Sequence, residues 1–208
     1  SIWPSPISVP TANNNGSAAA AMVTTAVVPQ GTVGPPGATD LSYVATTNRR
    51  QRTWSHTVSG GDNRVLVVGI ALADTGKNVT SLTYGGLPLT RLVTSGVKNT
   101  VEMWYLLAPP VGTADIVAEW SGDRDMVGWG GTFTNVDQAS PIRSFATASG
   151  SSSTPGVTVS AAVGDLVVDT LSANADAGSL TVGEGQTLVG QAWTGAKGGN
   201  CLGAASYR

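Results

Sequence analysis

Charged side chains are scarce in this sequence: 11 Lys and Arg stand against 13 Asp and Glu in 208 residues, for a formal net charge of -2. A protein that grips nucleic acid through its phosphates needs a basic surplus, so no nucleic-acid partner is expected. Glu and Lys, the usual surface residues of soluble helices, occur three times each, and no long amphipathic run is present. The single cysteine, Cys201, precludes an internal disulfide framework, and no Cys-x-x-Cys pair offers a zinc or haem site. It reads as a buried small hydrophobe, with an intermolecular disulfide as the alternative. The most apolar N-terminal stretch, 18–28, is 11 residues long and contains Thr24 and Thr25. A spanning helix needs about 20 apolar residues, so no membrane span is expected.

What the chain does contain is 25 Val, 25 Thr, 27 Gly and 20 Ser, with 41% hydrophobic residues and a mean hydropathy of +0.09. That is the composition of strands and turns in a folded, nearly neutral protein. A period-2 pattern runs through 53–59, and a near-continuous apolar run at 64–72 reads as a strand buried on both faces. Further strands are predicted at 79–84, 89–94, 101–107, 115–120, 126–134, 157–161, 166–171, 179–182, 187–193 and 201–207, most of them separated by Gly, Pro, Asn or Asp. The stretch 150–156 reads as an exposed loop. Together these predict an all-β fold: a two-sheet antiparallel sandwich of jelly-roll or Greek-key type with an extended N-terminal arm.

The arm differs in texture from the rest. Residues 1–39 hold no charged side chain and six of the 11 prolines. This divides the chain into an arm over 1–40 and a sandwich domain over 41–208. A flexible linker is one reading of the arm; a segment that packs on a sheet, its own or a neighbour's, is the other. Val23, Thr25, Val27 and Val28 favour strand pairing, while four alanines at 18–21 favour a helical turn. Arg49, Arg50 and Arg52 form the one basic cluster, at the junction of arm and sandwich, and read as a surface ion pair or an intersubunit clamp to Asp residues. The sequence opens at Ser1 without an initiator Met, which favours export, and Asn15-Gly16-Ser17 and Asn78-Val79-Thr80 match glycosylation acceptors.

Several motifs are more particular than strand texture: Tyr84-Gly85-Gly86, Trp104-Tyr105-Leu106-Leu107 and Asn135-Val136-Asp137-Gln138. Through them, residues 53–208 resemble a group of bacterial extracellular β-sandwich domains of unknown function found in secreted multidomain proteins. Those domains continue past the position of Tyr207 with a further strand. The resemblance therefore implies an unpaired edge that an added strand would fill.

A search for chemistry returns little. His56 is the one histidine, within an alternating strand pattern between Trp54 and Val58, and no nucleophile elbow or phosphate loop is present. Glu102 and Glu119 fall in consecutive predicted strands beside Trp104 and Trp120, where they would flank a groove or simply face solvent. Asp123 with Asp125, or Asp74 with Asn78, supplies clustered loop oxygens without a complete calcium loop. Lys98 near Glu102 is a candidate for a covalent cross-link to Asn. The expectation is an extracellular or cell-surface structural subunit, not an enzyme and without cofactor or metal. Its partner is further copies of itself, added through Val23, Thr25, Val27, Val28 and the arginines. The alternatives are a carbohydrate-binding module that stacks a glycan on Trp104 and Trp120, and a viral or phage surface protein.

Overall fold

A computed structural model of the chain describes residues 2–8, 18–31, 34–46, 52–73, 76–96, 98–174, 180–195 and 201–208. Among them lie only strands and their connections: β1 (Ile2–Ser8), β2 (Ala18–Val27), β3 (Gly37–Thr46), β4 (Thr53–Val58), β5 (Val65–Ala73), β6 (Ser81–Tyr84), β7 (Leu87–Pro88), β8 (Thr90–Gly96), β9 (Asn99–Leu107), β10 (Gly112–Glu119), β11 (Met126–Thr134), β12 (Ile142–Ser152), β13 (Gly156–Ser160), β14 (Leu166–Asn174), β15 (Thr181–Val182), β16 (Thr187–Trp193) and β17 (Leu202–Tyr207). Every ladder is antiparallel.

The all-β antiparallel expectation is met, but the stack is thicker than two sheets. A four-stranded sheet, β4-β10-β6-β7, covers one face of a five-stranded sheet, β3-β11-β5-β9-β8. The other face of that sheet packs on a second five-stranded sheet, β12-β2-β14-β17-β16. A small sheet, β13-β1-β15, lies over the far side, where Val157, Val159 and Leu180 meet Met22, Ala26 and Leu171.

Alternation explains the sorting. On β5, Leu66, Val68, Ile70 and Leu72 face the four-stranded sheet, while Val65 and Val67 face the second five-stranded one. A strand with core on both faces has no polar side to show, which is why 65–73 is uniformly apolar and buried.

The middle layers approach closely. Trp129 on β11 donates its indole N–H to the Thr170 hydroxyl on β14 at 2.7 Å, across the sheet interface. A Cβ on Gly69 would land on both groups. On the opposite face of β11, a Cβ on Gly128 would sit 2.8 Å from the Trp54 ring. The glycines in these apolar strands are the hollows into which tryptophans fit.

β12 and β3 were absent from the predicted strands, and 150–156 is only in part a loop: β12 runs to Ser152 and the turn is confined to 153–155. Gly69→Ala should lower stability by about 1–3 kcal/mol through overpacking. Gly150→Ala, with open space around it, should be nearly silent in the same urea titration. Equal midpoints for the two variants would contradict the packing described.

Candidate functional site

The charge-free N-terminal segment enters the structure as two strands, β1 and β2, whose partners are all distant in sequence. β2 lies between β12 and β14, pairing from Ala18↔Ser152 to Val27↔Ile142 on one edge and from Ala19↔Asn174 to Val27↔Leu166 on the other. All residues from Ala20 to Val27 are buried. A charged side chain here would have to be desolvated without a partner, so the absence of charge is a condition of the site. The two threonines satisfy their hydroxyls on the walls: Thr24 donates to the Val168 carbonyl on β14 at 3.2 Å and Thr25 to the Ser144 carbonyl on β12 at 3.1 Å.

Immediately after β2 the chain is clasped. Val28 donates its N–H to the Pro141 carbonyl at 2.8 Å and accepts from Asp137 N–H at 2.9 Å; Gln30 N–H donates to the Asn135 carbonyl at 2.8 Å. The Asn135 side-chain amide donates to the Gly34 carbonyl, and Gln138 N–H donates to the Gln30 side chain at 3.3 Å. Asn135 holds φ 61°, a left-handed conformation that Asn tolerates. The Asn-Val-Asp-Gln motif is thus the buckle that fixes where β2 ends.

β1 occupies the outermost layer. It pairs with β13 from Ile2↔Ser160 to Pro6↔Gly156, and with β15 at Ile7↔Val182 and Ser8↔Thr181. Among the described residues β13 and β15 have no other ladder partner. Without β1 they would be two short strands with no ladder partner among the described residues.

The residues predicted for assembly do not share one surface. Val23, Thr25 and Val27 are fully buried in the chain's own sheet and Val28 is in the clasp. Arg49 and Arg50 lie outside the described residues. Arg52 is fastened to its own chain: it pairs with Glu119 at 3.0 Å, donates to the Trp120 carbonyl at 2.6 Å and the Gly122 carbonyl at 3.0 Å, and stacks 4.4 Å over the Trp120 ring. Trp104 and Trp120 are both core residues, 6% and 4% exposed, so they form no stacking platform. β17 is flanked by β14 and β16, so the slot is not beside the last strand; β2 fills the one between β12 and β14.

The polar candidates are wired into the interior. Glu102 is buried on β9, accepting from the Trp104 indole at 2.8 Å and Val79 N–H at 3.1 Å with Arg91 at 4.0 Å, and burial pushes its carboxyl up. Glu119 is exposed on β10, in a different sheet, so the two carboxylates do not flank one groove. Lys98 is exposed, outside any core where a cross-link would form. Cys201 is buried with its thiol pushed up to about 12 by desolvation, which removes the intermolecular disulfide. Asp74 lies outside the described residues, and no group of three metal-ligating side chains occurs among those described. No helix among them is long and apolar enough to cross a membrane.

His56 joins two sheets. Its Nδ1 lies 2.7 Å from the Ser42 hydroxyl on β3 and its Nε2 lies 2.8 Å from the Thr132 hydroxyl on β11, while Tyr84 donates to its carbonyl at 3.3 Å. A neutral ring donates from one nitrogen and accepts at the other, and hydroxyls can answer both. Burial holds the imidazole below its ordinary 6.5, more than the attraction of Asp40 raises it.

No protein-family model, no curated protein and no solved structure matches the chain.

For His56 the unfolded state takes up the proton first. The stability of the neutral ring is complete above its ordinary pKa of 6.5 and is lost as pH falls below it, toward the lower folded-state value. His56→Gln should cost about 1–3 kcal/mol near neutral pH, with a gap to the native chain that narrows at about pH 5.5. Urea titrations at the two pH values read this directly, and a pH-independent gap would contradict it.

Proposed function

We propose that this protein is an extracellular, non-enzymatic structural subunit that assembles with copies of itself by strand addition from its N-terminal segment. One observation carries the reading: the charge-free first 39 residues supply two strands, β1 and β2, whose ladder partners are all more than a hundred residues away, and β2 is inserted between two of them. Strand insertion into a waiting slot gives main-chain hydrogen bonds along the whole contact and suits permanent assembly. When the inserted strand belongs to the next copy, the contact is head-to-tail, and an open-ended filament or layer results.

The chemistry of the interior supports a structural role. Both ring nitrogens of His56 are engaged by hydroxyls and no carboxylate orients it, and Glu102 serves the Trp104 indole and a backbone amide. The position of β2 between β12 and β14 supports long, Greek-key-type connections. The resemblance of residues 53–208 to bacterial extracellular sandwich domains is what favours a bacterial, secreted setting in this reading. Copies of the chain are the partner; nucleic acid, cofactor and membrane span have no place in this reading.

The native full-length chain should sediment as open-ended polymers whose length grows with concentration, seen as filaments or sheets in negative stain. A single monomeric boundary at every concentration would overturn the proposal.

A further inference from the structure

Two N-terminal strands are available for exchange, and their surroundings separate them. β2 is buried in an inner layer and is joined without slack to the clasp, since Val27 ends the strand and Val28 is already bonded to Pro141 and Asp137. Moving β2 to another copy would open the sandwich and break the clasp at Val28. β1 lies in the outer three-stranded sheet, where a neighbour can reach its place without parting the two five-stranded sheets. Nine residues, 9–17, stand between it and β2, and none is charged. Fully extended, nine residues reach about 30 Å, the scale of a small domain.

The sequence of β1 fits it to one acceptor edge. Backbone N–H groups alternate between the two edges of a strand, so those of Trp3, Ser5 and Ile7 point to one side and the positions of Pro4 and Pro6 to the other. Prolines donate nothing, which leaves Trp3 and Ser5 to face β13 in the observed register. The other edge lacks donors at two successive positions, and β15 accordingly pairs only beyond them, at Ile7 and Ser8. Such a strand fills one slot and then blocks further lateral growth.

Resting on the assembly reading above, we infer that β1, not β2, is the exchanged element: Ile2–Ser8 of one copy pairs with β13 and β15 of the next, while β2 stays in its own subunit. Exchange preserves every ladder bond that β1 makes within its own chain. The choice between the two is set by linker geometry and local concentration.

The register supplies the test. Ser5 and Val157 are paired Cα partners, and directly opposed residues on antiparallel strands lie about 4.5–5.5 Å apart, within disulfide range. Two full-length variants, Ser5→Cys and Val157→Cys, carrying different affinity tags, are mixed in denaturant, refolded together and oxidised mildly. Cys201, buried and with its thiol pushed up to about 12, does not compete. A covalent heterodimer should form at a yield at least about tenfold above that of Ser5→Cys mixed with the native chain. The double variant Ser5→Cys/Val157→Cys should form disulfide-linked ladders of many subunits.

Cross-linking of the double variant only within single chains, with no heterodimer from the mixture, would overturn the exchange. Failure of the double variant to cross-link at all would overturn the β1 register itself. Polymers that persist in negative stain alongside either result would leave assembly standing and assign it to another surface. A chain that stays monomeric would sink the assembly reading as well.

Discussion

The insertion of β2 between β12 and β14 is the contact on which the rest of the molecule depends. It closes the second five-stranded sheet, its odd-numbered side chains Ala21, Val23 and Val27 pack on the neighbouring sheet, and its even-numbered Ala20, Met22 and Ala26 support the outer layer. A strand buried on two faces and paired on two edges can carry no charge and no unsatisfied hydroxyl. Thr24 and Thr25 meet that condition by bonding to opposite walls. The uncharged texture of the N-terminal segment is thus a direct consequence of where it sits.

The remaining polar groups follow the same rule of internal satisfaction. Trp129 reaches Thr170 across a sheet interface, His56 bridges Ser42 and Thr132, and Glu102 gathers the Trp104 indole and the Val79 amide. The Trp129 and His56 links join separate sheets, and the Glu102 link ties β9 to the segment before β6. A stack of sheets held only by apolar contact has little to fix the lateral position of one layer on the next, and these directional bonds supply it. The glycines at 69 and 128 belong to the same arrangement, because the tryptophan rings need the space their missing side chains leave.

Much of the strand pattern was legible in the sequence. β11 and β16 fall on their expected residues, and β5, β9 and β14 shift only at their ends. β3 was hidden because both its faces mix polar and apolar positions: Ser42, bonded to His56, shares a face with Val44, while Leu41 and Tyr43 on the other face stay half exposed, Tyr43 lying against Gly190 of β16. β12 was hidden because its inward positions include Ser144, Ala146 and Ala148, too small and too polar to register as a core stripe. The burial of Trp54, Trp104, Trp120 and Trp129 was not legible, because exposure depends on which sheet covers which.

Composition and alternation by themselves determined that this chain is all-β, nearly neutral, without a disulfide framework, and set apart at its first 39 residues by the absence of charge. Those properties are local, written in residue type and spacing. The thickness of the stack, the slot that β2 fills, the clasp made by Asn135 to Gln138 and the pairing of β1 with β13 and β15 were decided only in three dimensions. Each depends on pairing between segments up to about 170 residues apart, and period-2 alternation is the same whichever strand lies alongside.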